Sequence, residues 1–365
     1  MGAVDPQGGV FRASPFHLWD APNVKIEPIV LSANQPERFY RGGERIAELR
    51  GEKQSSPYVP EDWVGSTATL FGHENTGLTR LPDGRWLRDA VTEDPQAWLG
   101  SPHVAAYGAD PALLVKLLDA GQRLPVHCHP SDAFALRHHG SHFGKTEAWV
   151  VIGTSGADPR VHIGFADDVD EPVVAGWIAE QDSDAMLGAL NSVRVNAGDT
   201  VFVPAGLPHA IGAGVFIVEL QQPTDLALTL EWQGFLPDDT GAHQGLGYPT
   251  ALGCLDRTGW RDRLDTIVTR GGTADPDGTG SVDLFGDTAA PFFRAERLRV
   301  RRAVAVDASF AVLVVLEGAG RMSTAFGGSL DLARGQTVLV PHSAGAATIA
   351  GELTAIRCLP PMPAA

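Results

Sequence analysis

The chain has 365 residues, 44% hydrophobic and 20% charged, which is material for two packed domains or one large one and not the composition of a disordered chain. Twenty-eight basic against forty-four acidic residues leave a formal net charge of −16, which disfavours nucleic acid and anionic membranes as partners and means that an anionic substrate needs a locally basic pocket. There is no apolar run of about 18 residues to span a membrane. The start, "MGAVDPQGGV", has neither the basic nor the apolar region of a signal peptide, and the three cysteines form no CxxC pair, so a cytoplasmic chain with reduced thiols is expected.

In chain order, strand signals dominate. The runs "PALLVKLLDA", "EAWVVIG", "RVHIGF", "SVRVNAGDTVFVPAG", "GVFIVELQQ", "LALTLEW", "RVRRAVAV", "FAVLVVLEG" and "QTVLVPH" are short, apolar or alternating, and closed by Gly, Pro, Asp or Asn. This spacing predicts an all-β sandwich or barrel. Few helices are expected: one over "SDAFALRHH", with Ser131 as its N-cap, and one over "VAGWIAEQDSDAMLGALNS". The stretch from Thr269 to Asp287, rich in Gly, Asp and Thr, reads as a linker or long loop between a large N-terminal part and a strand-rich C-terminal part.

The run "GQRLPVHCHP" holds two histidines two residues apart. On a strand, residues i and i+2 share a face roughly 6.6–7 Å apart, so His127 and His129 can reach one ion while Cys128 points the other way. Glu147 follows in "FGKTEAWVVIG". Further on, "GDTVFVPAGLPHAIGAG" sets Gly198, Pro204, Gly206 and His209 at fixed intervals. Three imidazoles and a carboxylate suit Zn, Fe, Mn, Ni or Co and leave open positions for substrate oxygens. His138, His139 and His142 are expected to be solvated, and Trp149, Trp177 and Trp232 to be core rather than sugar-stacking residues.

The two blocks resemble the paired motifs of the cupin superfamily, in which an H-x-H, a Glu and a late His converge on one metal inside a small β-barrel. The Asn that often follows the late His is Ala213 here. More narrowly, "LLVKLLDAGQRLPVHCHPSDAFAL", "GKTEAWVVIG", "FVPAGLPHAIGAG" and "VELQQPTD" resemble the type I mannose-6-phosphate isomerases in their short bacterial form; "RFYRGGERIAELRG" and "DWVGS" match more weakly.

That resemblance implies two cupin-type β-barrel or jelly-roll domains. Residues 1–268 would form a catalytic metal-binding domain with an N-terminal extension, 269–287 a linker, and 288–365 a degenerate cupin. The last repeats the rhythm from Gly335 to Pro341 but carries Ala346 where the late His belongs, with His342 at the wrong offset, so no metal is expected there. The implied activity interconverts mannose 6-phosphate and fructose 6-phosphate through an enediol, with one divalent metal, zinc first among candidates.

His129, Glu147 and His209 match the family's metal ligands, and His127 holds the place of a ligand that is usually Gln. Glu219 is the candidate base, with Lys145 as its electrostatic partner; Lys116, Ser66 and Thr229 are candidate substrate-binding residues. Thr229 stands where the family carries an arginine, for which Lys116, Lys145, Arg123 and Arg194 are possible substitutes. Three alternatives stay open: an isomerase of a free sugar such as mannose or lyxose, suggested by Thr229; a cupin dioxygenase, suggested by His127; and a non-catalytic sugar-binding protein. A small-molecule partner and a monomer or homodimer are expected.

Overall fold

The computed structural model describes residues 25–271 and 278–363; the N-terminal segment read above for targeting signals lies outside them, as does part of the expected linker. Antiparallel pairing runs throughout three sheets. The first has six strands in the order Val268–Thr269, Thr200–Val203, Glu147–Thr154, Val215–Gln221, Leu114–Asp119 and Glu61–Val64. The second has five, in the order Leu228–Thr229, His127–Cys128, His209–Ile211, Arg160–Phe165 and Leu190–Arg194. These two belong to the N-terminal part and carry His127, Cys128, Glu147 and His209, with His129 directly after its strand. The third, of eight strands, is built mainly from the C-terminal part, with Ala311–Thr324 and Ala347–Leu359 as its long central pair. The all-β expectation is borne out.

Most strands form where the alternation says they should, because at least one face is buried. On Val215–Gln221 both faces are covered and all seven residues are buried, the pattern of a central strand. Sequence reading and structure part company at three places. The predicted helix around Trp177 is two helices, Glu171–Glu180 and Ser183–Ala189: Gln181 turns left-handed at φ 51°, and the Asp182 carboxylate accepts from the Ala185 N–H to start the second. Short helices at Glu44–Arg50, Leu87–Glu93, Pro95–Leu99 and Ser101–Tyr107 were missed, being too short for a clear 3.6-residue period. Within the expected linker, Thr269 closes a strand paired with Thr200–Val203, and Gly280–Asp283 is a strand paired with Arg294–Val300. The Ser131 cap is as expected, its hydroxyl accepting from the Phe134 N–H above the helix Asp132–His139.

The chain ends are interleaved. Ile29–Leu31 pairs with Thr337–Val340 and so adds an edge strand to the C-terminal sheet. Arg50 ties the two parts further, bonding Asp62 at 2.6 Å and the Thr337 hydroxyl at 2.9 Å. Among the described residues no helix is long and apolar enough to cross a membrane.

Candidate metal centre and active site

The cavity lies between the six- and five-stranded sheets. His127 and His209 are direct cross-strand partners on the five-stranded sheet. With His129 two residues on, three ring nitrogens lie within 4.8 Å of one another. Cys128 points away and is buried near Cys254, as the two-residue period requires.

Each imidazole is oriented by a backbone carbonyl. The Nδ1 atoms of His127, His129 and His209 lie 2.8, 2.9 and 2.8 Å from the carbonyl oxygens of Pro125, Leu226 and Leu207. A carbonyl can only accept, so Nδ1 carries the proton in all three rings and each Nε2 turns a lone pair inward. Glu147, from the facing sheet, brings its carboxylate to 3.1 Å from His129 Nε2 and 3.2 Å from His209 Nε2. Acceptors therefore face acceptors. Burial holds His127 well below the usual histidine range and brings His129 to about 3, with the Lys145 ammonium adding to the effect. His127 and His129 therefore carry no second proton to share with Glu147 near neutral pH. His209 Nε2 and Glu147 Oε2 are buried with no hydrogen-bond partner among the described residues. A cation at the centre satisfies all four groups at once, so the donor set fits a divalent metal.

Beside these four groups, a row of residues crosses the inner face of the six-stranded sheet. Trp149, Glu219, Lys116 and Trp63 are successive cross-strand partners. Trp149 is fully buried and donates to Glu147 from its Nε1 at 3.1 Å, so it is a core residue that braces the Glu147 carboxylate. Trp177 and Trp232, neither of which lines the cavity, are half-buried. Lys116 Nζ sits 3.6 Å from Glu219 and 3.2 Å from Glu61. Burial pushes the Glu219 carboxyl up to about 8, Lys116 opposing and Glu147 adding to the rise. For Glu61 burial acts in the same sense, but Arg38 and Lys116 outweigh it and hold the group below the usual carboxylate range. Glu61 also accepts from the Trp63 indole at 2.6 Å and from the Tyr40 hydroxyl. Lys145 Nζ lies 3.2 Å from His129 Nε2 and 3.4 Å from Glu147.

Thr229 lines the cavity, but Ser66 does not. Ser66, expected to bind substrate, is fully buried away from the cavity, and its hydroxyl is held in a turn by the Ala68 backbone. Arg123 is spent on a two-bond pair with Glu231 at 2.6 Å, and the same carboxylate accepts from Val126 N–H at the start of the H-x-H strand. Arg194, exposed at the end of its strand, donates to the Ala157 carbonyl. Neither lines the cavity. His138 and His139 are half-buried and His142 exposed; none joins the metal-competent group. His342 packs over Gly100 in the N-terminal part, where an added Cβ would come within 2.5 Å of the ring.

Sequence reading missed Arg38, Tyr40, Glu61 and Asp225. Glu61 had a faint signal, a carboxylate two residues before Trp63 on a strand buried on both faces. Arg38 and Asp225 lay in quoted motifs, "RFYRGGERIAELRG" and "VELQQPTD", but both sit in irregular segments where no periodicity told which way they face.

No family model matches the chain. Among curated proteins, it is 26% identical over 339 residues to a mannose-6-phosphate isomerase of Streptococcus mutans, a match covering 90% of this chain and 97% of that one. It is 36% identical over 206 residues to the mannose-6-phosphate isomerase ManA of Bacillus subtilis, covering 56% of this chain and 60% of that one. Among solved structures, a mannose 6-phosphate isomerase from Bacillus subtilis superposes with a TM-score of 0.69 at 20% identity, over 91% of this chain and 99% of that one. A mannose 6-phosphate isomerase bound with zinc and yttrium gives 0.68 at 15% identity, over 92% and 100%. The fold is shared with these structures, and the resemblance read from the motifs is borne out by the curated relatives.

Proposed function

We propose that this relative of the mannose-6-phosphate isomerases is itself a metal-dependent aldose–ketose isomerase, interconverting mannose 6-phosphate and fructose 6-phosphate. The observation that carries the proposal is the convergence of three carbonyl-anchored imidazoles on Glu147, with the Glu219–Lys116 pair alongside in one cavity. His127, His129, Glu147 and His209 would hold one divalent ion, zinc first, since a structural neighbour is bound with zinc. Bound there, the ion would supply Lewis-acid polarisation of the substrate's carbonyl and hydroxyl oxygens.

The chain's own residues account for the proton traffic. Ionised Glu219 takes the proton from C2 of the aldose; the C2–H electrons form the C1–C2 double bond, and O1 gains a proton as the carbonyl opens to an enediol. Glu219 then returns its proton to C1 while O2 loses one, leaving the ketose. A carboxyl near 8 is a far stronger base, once ionised, than an ordinary glutamate, which suits removal of a carbon-bound proton. Lys116 and Lys145 offset the negative charge that develops.

The proposal assigns residues 1–268 to the catalytic cupin and 288–365 to a metal-free cupin with a packing role. A free-sugar isomerase is the second reading, favoured by Thr229, whose hydroxyl offers the cavity wall no charge. A coupled assay of mannose 6-phosphate conversion with zinc-loaded protein tests the first reading. His209-dependent turnover supports it; no turnover, with activity on mannose or lyxose, moves the assignment to the second.

A further inference from the structure

A hexose phosphate has two ends, and the cavity's two lysines both serve one of them. Lys145 lies against His129 and Glu147, and Lys116 lies between Glu61 and Glu219, so each stands beside the reacting carbons. The third cation is Arg38, the one arginine lining the cavity among the described residues. It approaches from the irregular segment after Ile29–Leu31, with Glu61 and Lys116 between it and Glu219. That places its charge away from C1 and C2.

Its guanidinium is anchored but not spent. Nε lies 3.1 Å from Glu61 Oε1 yet makes no hydrogen bond, and the two Nη atoms reach Asp225 only at 3.4 and 3.5 Å, the long limit for such a bond. The side chain is 15% exposed, shielded from bulk water, where a fixed charge counts for more. The planar fork of N–H groups matches the geometry of phosphate oxygens. Thr229, on the same cavity wall, offers one neutral hydroxyl.

We propose that Arg38 binds the phosphate of the substrate, exchanging its loose contact with Asp225 for the phosphoryl oxygens; this rests on the sugar-phosphate reading above. The segment bearing Arg38 thereby sets the preference for a phosphorylated over a free sugar.

The test combines steady-state kinetics on mannose 6-phosphate and mannose with calorimetric binding of fructose 6-phosphate, for the wild type, Arg38→Gln, Arg38→Lys and Asp225→Asn. Arg38→Gln is expected to raise KM for the phosphorylated sugar at least tenfold, to change kcat much less and to affect mannose 6-phosphate far more than mannose. Arg38→Lys should recover part of the loss. Asp225→Asn frees the guanidinium and should hold or tighten fructose 6-phosphate binding, so it reads the proposal even if Arg38→Gln fails to fold. An unchanged KM in folded Arg38→Gln, or binding weakened tenfold in folded Asp225→Asn, overturns it. Arg38-dependent binding without any turnover would sink the isomerase reading and keep the phosphate site; no binding by the wild type would sink both.

Discussion

The two β-rich parts share a rhythm and differ in what fills them. "GDTVFVP" from Gly198 and "GQTVLVP" from Gly335 have the same pattern, and each contributes a strand of four buried residues. In the N-terminal part the interior holds Glu61, Lys116, Glu147 and Glu219 around a cavity of about 260 Å³. In the C-terminal part the interior is mostly apolar: Leu313, Met322, Val340, Ala347 and Ile349, with Asp307 and Arg357, line a void of about 10 Å³, room for one water at most. The same alternation of strand faces thus builds either a site or a plug, according to whether the inward residues are charged or apolar. The hollow part is left holding buried charges that must be paired or bound, and the filled part gains stability from packing.

The sharpest break in this comparison is His209→Ala. It should abolish stoichiometric metal binding, read by elemental analysis, and lower turnover by about a thousandfold or more, while the fold persists. Full activity in the variant would rule out the assigned site. The mirror experiment is Leu313→Ala, buried in the C-terminal interior. It should cost about 2–5 kcal/mol in denaturant unfolding and leave kcat per folded molecule unchanged; a large fall in kcat would mean that the plug takes part in the chemistry.

Glu219 gives a pH signature peculiar to the hollow part. Its folded value near 8 stands above its ordinary 4.5, so the native state binds more protons than the unfolded chain between those values. Stability from this group is therefore fully present below about 4.5 and is lost as pH rises toward 8, by a few kcal/mol at most. Activity should move the opposite way, climbing as pH passes through about 8. Glu219→Gln should remove both slopes, and a variant retaining the activity profile would sink the base assignment.

The smallest effect separates the two matching glycines. Both have positive φ, 99° at Gly198 and 87° at Gly335. A Cβ at Gly198 meets nothing nearer than 3.6 Å, whereas at Gly335 it would sit 2.0 Å from the Leu49 carbonyl. Gly198→Ala should cost about 1–2 kcal/mol in backbone strain alone, and Gly335→Ala more, since the Glu44–Arg50 helix must also shift. Equal melting temperatures for the two variants would show that the close approach relaxes without cost.

How much of this was legible beforehand follows from the range of the interactions involved. The period of two along a strand told which side chains share a face, so the pairing of His127 with His129 and the opposite heading of Cys128 were readable from one decapeptide. The types of Glu147, Glu219, Lys116 and His209 were equally plain, because charged residues inside otherwise apolar runs are costly and call for a partner. The split of the helix at Gln181 was not, since a left-handed turn at a glutamine has no strong local signal.

The amino-acid sequence by itself determined the strand-rich class, the set of imidazole and carboxylate side chains that could hold a metal, and the absence of a late His in the C-terminal part. Only the tertiary structure decided which strands lie side by side, and with that the row from Trp63 through Lys116 and Glu219 to Trp149. It alone brought Arg38, Glu61 and Asp225 to one wall and removed Ser66, Arg123 and Arg194 from it. The reason is physical: faces are set by neighbours two residues apart, whereas a shared wall is set by register between segments up to nearly two hundred residues apart, and no local pattern carries that register.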